Sequence, residues 1–356
     1  MYIKAKGRQL IHPETGEPIR LIGFNFTQNY WMPNEVILQT GVDDSAYKYA
    51  SELGANSVRL LIRHSFFEPF ETPFTYDTTA LNWLDLQIKH AKQNGLLVTL
   101  ALVLPHGGDW LDKEDGKDFR FWYDEALQKR FIEIWQVFAE RYKDEEALLG
   151  YDLFNVPVTN DRSGQSYYDL LDKTIEQIRL IDENHLIVVS KLYGCHGIGD
   201  DLDSPKYYKK VNWENIIYDY HFYDPNDYTH QYAGWIGNNS DGGSYPDESI
   251  LEPVEEGVSL PRNIDYLRKR LNHILQFGRE NDVPVHIGEI GLTHPCYHHK
   301  GALNWIKDVK AILSEDNVGY YYWDFQSEAM GLIMQKAEEE IDPSKINLGL
   351  AENLFR

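Results

Sequence analysis

The chain of 356 residues contains only two cysteines, Cys195 and Cys296, and this scarcity excludes a scaffold held together by many disulfides. A single bridge between the two cysteines remains open. Residues 1–7 lack the apolar stretch of a signal peptide, and no apolar run is long enough to span a bilayer. We therefore expect a soluble protein that is either cytoplasmic or secreted after removal of a leader.

Basic residues are also few. The chain has 34 lysines and arginines against 56 aspartates and glutamates, which gives a net charge of −22. Such a field repels nucleic acid and anionic membranes, so we expect neither as a partner. The GxGxxG and P-loop signatures of nucleotide-binding folds are absent, as are Ser/Pro-rich linkers and low-complexity tracts. We expect a single domain over residues 1–356, a monomer and no cofactor.

Short apolar runs alternate with longer amphipathic segments along most of the chain, after a hairpin predicted at 7–11 and 18–24. Strands are predicted at 19–24, 57–63, 96–104, 148–154, 186–190, 215–221, 284–289 and 318–323. Helices are predicted at 43–53, 78–94, 123–142, 165–182, 262–281 and 301–315, with a long loop before the fifth of them. This alternation predicts an α/β fold, a (β/α)₈ TIM barrel with a short N-terminal β-hairpin.

Polar and aromatic residues recur at the C-terminal ends of the predicted strands, where barrels of this kind carry their active sites. They are Asn25, Arg59, His106, Asn155, His221, Tyr223, Glu289, Trp323 and Asp324. Singly, each has an ordinary structural explanation, such as a buried ion pair, a loop cap or a core tryptophan. Their occurrence together on one rim favours a functional site.

Two of these strand ends resemble the paired-carboxylate motifs of glycoside hydrolase family 5. Residues 284–291, PVHIGEIG, match the family's nucleophile motif at Glu289. Residues 151–157, YDLFNVP, match its Asn-Glu-Pro motif, but Val156 stands where the family has its acid/base glutamate. The resemblance extends from about residue 7 to the C-terminus.

The same resemblance assigns substrate-binding roles to the other rim residues. Arg59 and Asn155 match the residues that hold the nucleophile and the 2-hydroxyl of the sugar. His221 and Tyr223 match the family's His-x-Tyr pair, and Trp323 matches the tryptophan beneath the reacting sugar. The third strand departs from the pattern because its histidine, His106, comes after a proline.

The resemblance implies retaining hydrolysis of a β-linked polysaccharide such as β-1,4-glucan or mannan. Glu289 would attack the anomeric carbon, and a second carboxylate about 5 Å away would protonate the leaving oxygen. Valine cannot do so, which leaves three explanations. Val156 reflects an engineered or recent natural loss in a hydrolase; the chain is a pseudoenzyme that binds carbohydrate in the same cleft; or another group supplies the proton. Of these, we rank the last lowest, with Asp109, Asp324 and His106 as its candidates.

Aromatic residues in the predicted rim loops are candidates for sugar stacking, and we select Trp31, Trp110 and Trp235. Residues 294–299, HPCYHH, contain potential metal ligands, but their spacing is not that of a structural zinc site. We favour a polar active-site loop there and expect no metal. An unrelated barrel chemistry such as that of an aldolase would need a lysine at a strand end, and Lys191 is the one candidate.

Overall fold

The computed structural model of the chain describes residues 2–27, 30–40, 43–108, 120–195 and 208–356. Its strands are β1 (Lys4–Lys6), β2 (Gln9–Ile11), β3 (Pro18–Ile19), β4 (Ile22–Phe26), β5 (Ser57–Arg63), β6 (Leu97–Leu104), β7 (Leu148–Asp152), β8 (Val158–Thr159), β9 (Leu186–Ser190), β10 (Gly194–Cys195), β11 (Ile216–Phe222), β12 (Asp247–Glu255), β13 (Val258–Arg262), β14 (Val285–Ile290) and β15 (Gly319–Tyr322). Its α-helices are α1 (Asn34–Thr40), α2 (Asp44–Leu53), α3 (His64–Phe67), α4 (Thr78–Gln93), α5 (Glu125–Tyr142), α6 (Gln165–Arg179), α7 (Asn226–Thr229), α8 (Ile264–Asn281), α9 (Ala302–Glu315) and α10 (Leu348–Phe355).

Eight parallel strands close into a barrel in the order β4, β5, β6, β7, β9, β11, β14 and β15, and β15 pairs with β4. The predicted TIM barrel is confirmed. The strands are apolar along most of their length because helices cover their outer face while the barrel interior covers the other. In β6, for example, seven of the eight residues are buried.

Side-chain caps mark the starts of the long helices. Asp43, Asp77, Asp124 and Asn263 each accept hydrogen bonds from backbone N–H groups at the beginning of α2, α4, α5 and α8. Such caps satisfy donors that have no partner within the helix. They explain why these four helices begin within two residues of the predicted positions.

The N-terminal hairpin covers the lower end of the barrel. Strands β2 and β3 pair as predicted, and β1 adds a third strand to this sheet. The second half of the predicted hairpin, residues 18–24, is not one continuous strand, however, because β3 ends at Ile19 and β4 begins only at Ile22. Ile3, Leu10 and Leu21 pack with apolar residues from the lower ends of β7, β9 and β11.

The structure adds elements that are not predicted, and one predicted loop is wrong in part. The segment after Trp31 contains α1, and the long segment between β11 and α8 contains an antiparallel ribbon of β12 and β13. The ribbon is mostly exposed, and its sequence is charged and interrupted by prolines, so it lacks the apolar alternation that predicts a strand. Among the described residues, no helix is long and apolar enough to cross a membrane.

Candidate active site

Glu289 lies at the centre of the polar rim, one residue before the end of β14, and is 6% exposed. Its Oε1 atom accepts a hydrogen bond from Arg59 Nη1 at 3.1 Å, and its Oε2 atom accepts one from the Tyr223 hydroxyl at 2.7 Å. The Nδ1 atom of His221 lies 3.3 Å from the same Oε2 atom. These groups compensate the desolvation of a carboxylate in an almost fully buried position.

A register shift between β11 and β14 places Glu289 in this position. Tyr220 pairs with Ile287 and His221 with Glu289, so Gly288 is the additional residue on β14. A Cβ atom at Gly288 would lie only 2.4 Å from a carboxylate oxygen of a buried aspartate on β11. Glycine is required here because the backbone of β14 passes directly beside that carboxylate.

Arg59 connects Glu289 to three other strand ends. This arginine on β5 is 1% exposed, and it donates to Asp152 at 2.8 Å, Asn25 at 3.0 Å and Asn155 at 2.7 Å as well as to Glu289. Burial opposes its charge, but Asp152 and Glu289 outweigh this effect and raise the pKa of Arg59. A single guanidinium group therefore aligns the upper ends of β4, β5, β7 and β14.

A layer of buried ionisable side chains lies beneath this rim. Asp219 is 3.3 Å from His221 and 3.6 Å from His286. Burial would raise the pKa of Asp219, but the two imidazoles and Arg59 lower it to about 2. Burial raises the pKa of Asp152, although Arg59 opposes the shift. The layer supports the residues that contact Glu289.

Asp152, Asp219 and His286 are not among the predicted site residues. Each is an ionisable residue inside an otherwise apolar barrel strand, and that contrast is the sequence signal that could have revealed them. For Asp219 the alternation of strand side chains adds a second signal. It lies two residues before His221 on β11 and four before Tyr223, which directly follows the strand, so alternation puts all three on one face.

Asn155 and Val156 follow β7 on the same rim. Asn155 is 5% exposed; its side chain accepts from Arg59, and its backbone N–H donates to Leu102 O at 2.9 Å. Val156 has a φ of 49°, in the left-handed region. A β-branched residue is strongly disfavoured there, and the following Pro157 restricts it further. Strain of this kind costs on the order of 1–3 kcal/mol and clusters at functional sites.

His106 lies just beyond β6 and is 7% exposed. Its Nε2 atom is 2.8 Å from the backbone oxygen of Glu68. A carbonyl only accepts, so Nε2 carries the proton, and burial together with the neighbouring His64 lowers the pKa of His106 to about 3. His106 is therefore a neutral imidazole whose Nδ1 atom can accept a hydrogen bond from a hydroxyl group.

His64, Glu68 and His106 are the one group of three possible metal ligands found close together within the described residues. The Glu68 carboxylate is already engaged, since His64 Nε2 lies 2.6 Å from one oxygen and Arg130 Nε donates to the other at 3.0 Å. Arg130 also supplies the positive charge that a metal would bring. This cluster fits a buried network that supports His106 better than a metal centre.

The segment of residues 294–299 packs as a loop of the rim. His294 contacts Gly331 O at 3.0 Å, and Cys296 is a free buried thiol whose sulfur lies 3.2 Å from Tyr228 O. Cys296 therefore takes no part in the disulfide that the sequence left open. His298 and His299 are exposed.

Trp323 follows β15 and lies beside the end of β14, where its backbone N–H donates to the backbone oxygen of Ile290 at 2.6 Å. Its ring is partly buried and packs against a small cluster that includes Tyr30 and Leu104. The ring is thus fixed at the rim.

Two of the other selected tryptophans, Trp31 and Trp235, lie on rim loops. Trp31 is 44% exposed and makes an edge contact with Tyr30 at 4.6 Å between ring centroids. Trp235 is 60% exposed. Trp110 lies outside the described residues, as does Asp109. Lys191 is 4% exposed, and its ammonium group lies 4.8 Å from the ring centroid of Tyr220.

Asp324 is a buried carboxylate behind Trp323 and is 1% exposed. Its oxygens accept hydrogen bonds from Thr27 at 2.6 Å and Ser327 at 2.7 Å. Burial raises the pKa of Asp324 to about 6 despite these donors. A carboxyl group held in this way is poorly placed to reach a glycosidic oxygen in the cleft.

The titration of Asp324 has a measurable consequence for stability. Because the pKa of Asp324 is raised from 3.8 to about 6, the folded chain binds more protons than the unfolded chain between these values. The free energy of unfolding should therefore fall by about 3 kcal/mol as the pH rises through this window. The isosteric Asp324→Asn variant should lack this pH-dependent part of the unfolding free energy, as measured by urea denaturation at a series of pH values. If the unfolding free energies of the two proteins change in parallel with pH, the raised pKa of Asp324 is contradicted.

The fold and the site together define a TIM-barrel protein with a buried carboxylate held by arginine and tyrosine at the C-terminal rim. The family model described as cellulase, glycosyl hydrolase family 5, matches residues 13–329. The chain therefore belongs to glycosyl hydrolase family 5, a family of β-glycoside hydrolases.

Individual relatives are distant but cover most of the chain. Endoglucanase C of Acetivibrio thermocellus is 24% identical over 306 residues, which cover 81% of this chain and 84% of the relative. Cellodextrinase A of Ruminococcus flavefaciens is 23% identical over 283 residues, covering 79% and 77%.

Solved structures agree with the barrel. Endoglucanase Cel5A of Thermotoga maritima superposes with a TM-score of 0.73 at 23% identity, covering 94% of this chain and 96% of that one. The cellulose synthase subunit Z of Clostridioides difficile gives 0.73 at 20% identity, covering 95% and 100%. These similarities confirm the fold.

Proposed function

We propose that the chain is a retaining β-glycoside hydrolase that acts on a β-linked polysaccharide, with Glu289 as the nucleophile and Val156 at the acid/base position. The observation that carries the proposal is the set of donors around Glu289. Arg59, Tyr223 and His221 approach its two oxygens from three directions in a nearly buried site. Family membership supplies the reaction class.

The nucleophilic attack of the first chemical step requires only groups that the chain retains. An oxygen of Glu289 attacks the anomeric carbon, the bond from that carbon to the leaving oxygen breaks, and a glycosyl ester forms. Arg59 and Tyr223 hold the carboxylate in place for this attack. Asn155, whose oxygen is occupied by Arg59 at 2.7 Å, can present its amide nitrogen to the 2-hydroxyl of the sugar.

The missing group is the proton donor. Without it, the leaving oxygen must depart as an alkoxide, and water must attack the glycosyl ester without a base. Loss of general acid/base catalysis typically lowers rates about 10²- to 10⁴-fold. His106 is neutral and hydrogen-bonded through Nε2, and Asp324 is buried, so neither replaces the lost carboxylate. With valine at position 156, the chain is impaired on natural substrates.

β-1,4-Glucan and mannan are the proposed substrate classes. The net charge of −22 favours a neutral glycan over an acidic one. A structure of the Thermotoga maritima relative in complex with mannotriose, and others with cellobiose, support both classes. We propose that Trp323 lies beneath the reacting sugar, while Trp31 and Trp235, which are exposed at the rim, stack on more distant sugars.

A non-catalytic carbohydrate-binding protein that uses the same cleft is the second candidate, and Val156 is the observation that favours it. The buried charges around Glu289 favour the hydrolase. Binding alone does not require a desolvated carboxylate with an arginine and a tyrosine aimed at it. The backbone strain at Val156 also favours the hydrolase, because a left-handed backbone is retained there with a residue poorly suited to it.

An activated substrate distinguishes the two candidates. The leaving group of 2,4-dinitrophenyl β-cellobioside or β-mannobioside needs no acid, so the unaltered chain should release about one equivalent of dinitrophenolate in a burst. Azide is already anionic and needs no base, so it should accelerate turnover and yield a glycosyl azide of β configuration. Binding of cellohexaose without a burst or an azide product would instead establish the carbohydrate-binding candidate.

A further inference from the structure

Tyr193 follows β9 and lies beside the segment that carries the proposed acid/base position. Its backbone N–H donates to Pro157 O at 2.8 Å, and the next two residues form β10, which pairs in parallel with β8. The chain after β9 therefore runs directly alongside the chain that follows Val156. Around the barrel the strands come in the order β7, β9, β11 and β14, so Tyr193 lies between Val156 and Glu289 on the rim.

The hydroxyl group of Tyr193 is close to the proposed nucleophile. It accepts a hydrogen bond from the backbone N–H of His221 at 2.7 Å, and the imidazole of His221 lies 3.3 Å from Glu289 Oε2. Burial raises the pKa of Tyr193 well above its ordinary value, and the negative charges of Asp219 and Glu289 raise it further. The phenol therefore keeps its proton and stays neutral at physiological pH.

The ring of Tyr193 is fixed by its neighbours. It stacks on Tyr220, with 6.4 Å between the ring centroids and 14° between the planes, and its centroid lies 5.4 Å from that of the His221 imidazole. The ammonium group of the buried Lys191 lies 5.5 Å from the same ring centroid. A side chain held in this way loses little conformational entropy when its hydroxyl binds a ligand.

The Tyr193 hydroxyl has a hydrogen bond left to make. A phenol oxygen can accept and its hydrogen can donate, and the N–H of His221 occupies only the accepting side. Within the part of the chain that the structure describes, the proton of this hydroxyl has no acceptor. Tyr193 is only partly buried, whereas Lys191 and Tyr220 beside it are buried. Donation to a bound substrate is therefore the function that this group can still perform.

We propose that Tyr193 is a further catalytic residue, whose hydroxyl donates a hydrogen bond to the glycosidic oxygen that leaves in the first step. This inference rests on the proposed function. As Glu289 bonds to the anomeric carbon, the electron pair of the broken bond stays on the leaving oxygen, which then takes a proton from water. Tyr193 keeps its own proton, because a phenol is a much weaker acid than a carboxylic acid. Its hydrogen bond stabilises the negative charge that develops on the leaving oxygen, as the donors of an oxyanion hole do.

The dependence of the rate on the leaving group tests this role. The rate of aryl release is measured with 2,4-dinitrophenyl, 4-nitrophenyl and phenyl β-cellobioside, whose leaving groups are increasingly basic. Tyr193→Phe should lower the rate about tenfold for the phenyl glycoside and less than about twofold for the dinitrophenyl glycoside, because only a basic leaving group needs the donor. The dinitrophenolate burst that the variant retains also shows that it folds.

Tyr208→Phe is the matched control. The ring centroid of Tyr208 lies 5.3 Å from the same Lys191 ammonium group, and its buried hydroxyl has no hydrogen-bond partner among the described residues. Removal of this hydroxyl should leave the rates for all three glycosides unchanged.

The Val156→Glu background gives a second measurement. A carboxylic acid there protonates the same leaving oxygen, so the loss caused by Tyr193→Phe on the phenyl glycoside should shrink to less than about threefold. A loss as large as in the unaltered chain would mean that Tyr193 acts on another group, and it would overturn the inference.

The remaining outcomes separate this inference from the proposed function. An equal loss for all three glycosides would assign Tyr193 a structural role through the N–H of His221, and the inference would be wrong. An unchanged rate for the phenyl glycoside would also exclude it. In both cases the dinitrophenolate burst of the unaltered chain leaves the proposed function standing. If the unaltered chain gives no burst, the proposed function fails and this inference with it.

Discussion

Replacing Val156 by glutamate is expected to raise kcat/KM for β-1,4-linked oligosaccharides by at least about 10²- to 10⁴-fold. The physical reason is that the proposed nucleophile is already held in place: Arg59 and Tyr223 each contact Glu289 in the unaltered chain. The new carboxyl group would protonate the leaving oxygen in the first step and accept a proton from water in the second. Reducing-sugar release from β-glucan and mannan measures the gain.

Two further measurements make the Val156 test specific. Val156→Gln has nearly the same shape as the glutamate variant but no acid, so it should stay close to the unaltered chain. The glutamate variant should also acquire a bell-shaped pH dependence of kcat/KM, with one limb from the new acid and one from the nucleophile. If Val156→Glu is inert on every β-glycan tested, the hypothesis that a hydrolase has recently lost a single carboxylate is wrong. The carbohydrate-binding candidate is then favoured.

Substituting Glu289 by glutamine is expected to abolish the burst from aryl β-glycosides and the β-glycosyl azide product. In the Val156→Glu background, we expect hydrolysis to fall by roughly 10⁴-fold or more, because no other group can form the glycosyl ester. Glutamine keeps the shape of the side chain, and Arg59 keeps its pairing with Asp152 at 2.8 Å. Intact-protein mass spectrometry with a slow 2-fluoro glycoside locates the adduct.

Tyr223→Phe is the matched control for this substitution. It removes one hydrogen bond to the carboxylate, worth about 1.5–3 kcal/mol, and leaves the nucleophile in place. The adduct should therefore still form on Glu289, but about 10- to 100-fold more slowly. Labelling of a residue other than Glu289, or full activity of Glu289→Gln in the Val156→Glu background, would exclude Glu289 as the nucleophile.

The barrel was predictable from local properties of the sequence. Strands buried on both faces must be nearly continuous apolar runs, and capping residues such as Asp77 and Asp124 mark helix starts. The ribbon of β12 and β13 was not predictable in this way, since its exposed residues carry charges and prolines. Pairing between its two strands and contacts such as the ion pair of Arg262 with Asp227 stabilise it, and these are non-local interactions.

The sequence by itself determined which side chains reach the rim. The C-terminal ends of parallel strands meet on one face, so Arg59, Asn155, Tyr223 and Glu289 could be grouped before any contact was known. The resemblance of one motif also predicts that Val156 stands at the acid/base position, because that inference depends on one residue in one motif. The grouping on the rim follows from chemical identity and strand order alone.

Tertiary structure decided how the rim is held. The register shift at Gly288, the buried layer of Asp152, Asp219 and His286, and the left-handed backbone at Val156 involve residues far apart in the chain. Their energies depend on burial and on distances of 3–4 Å between charges, which strand order does not specify.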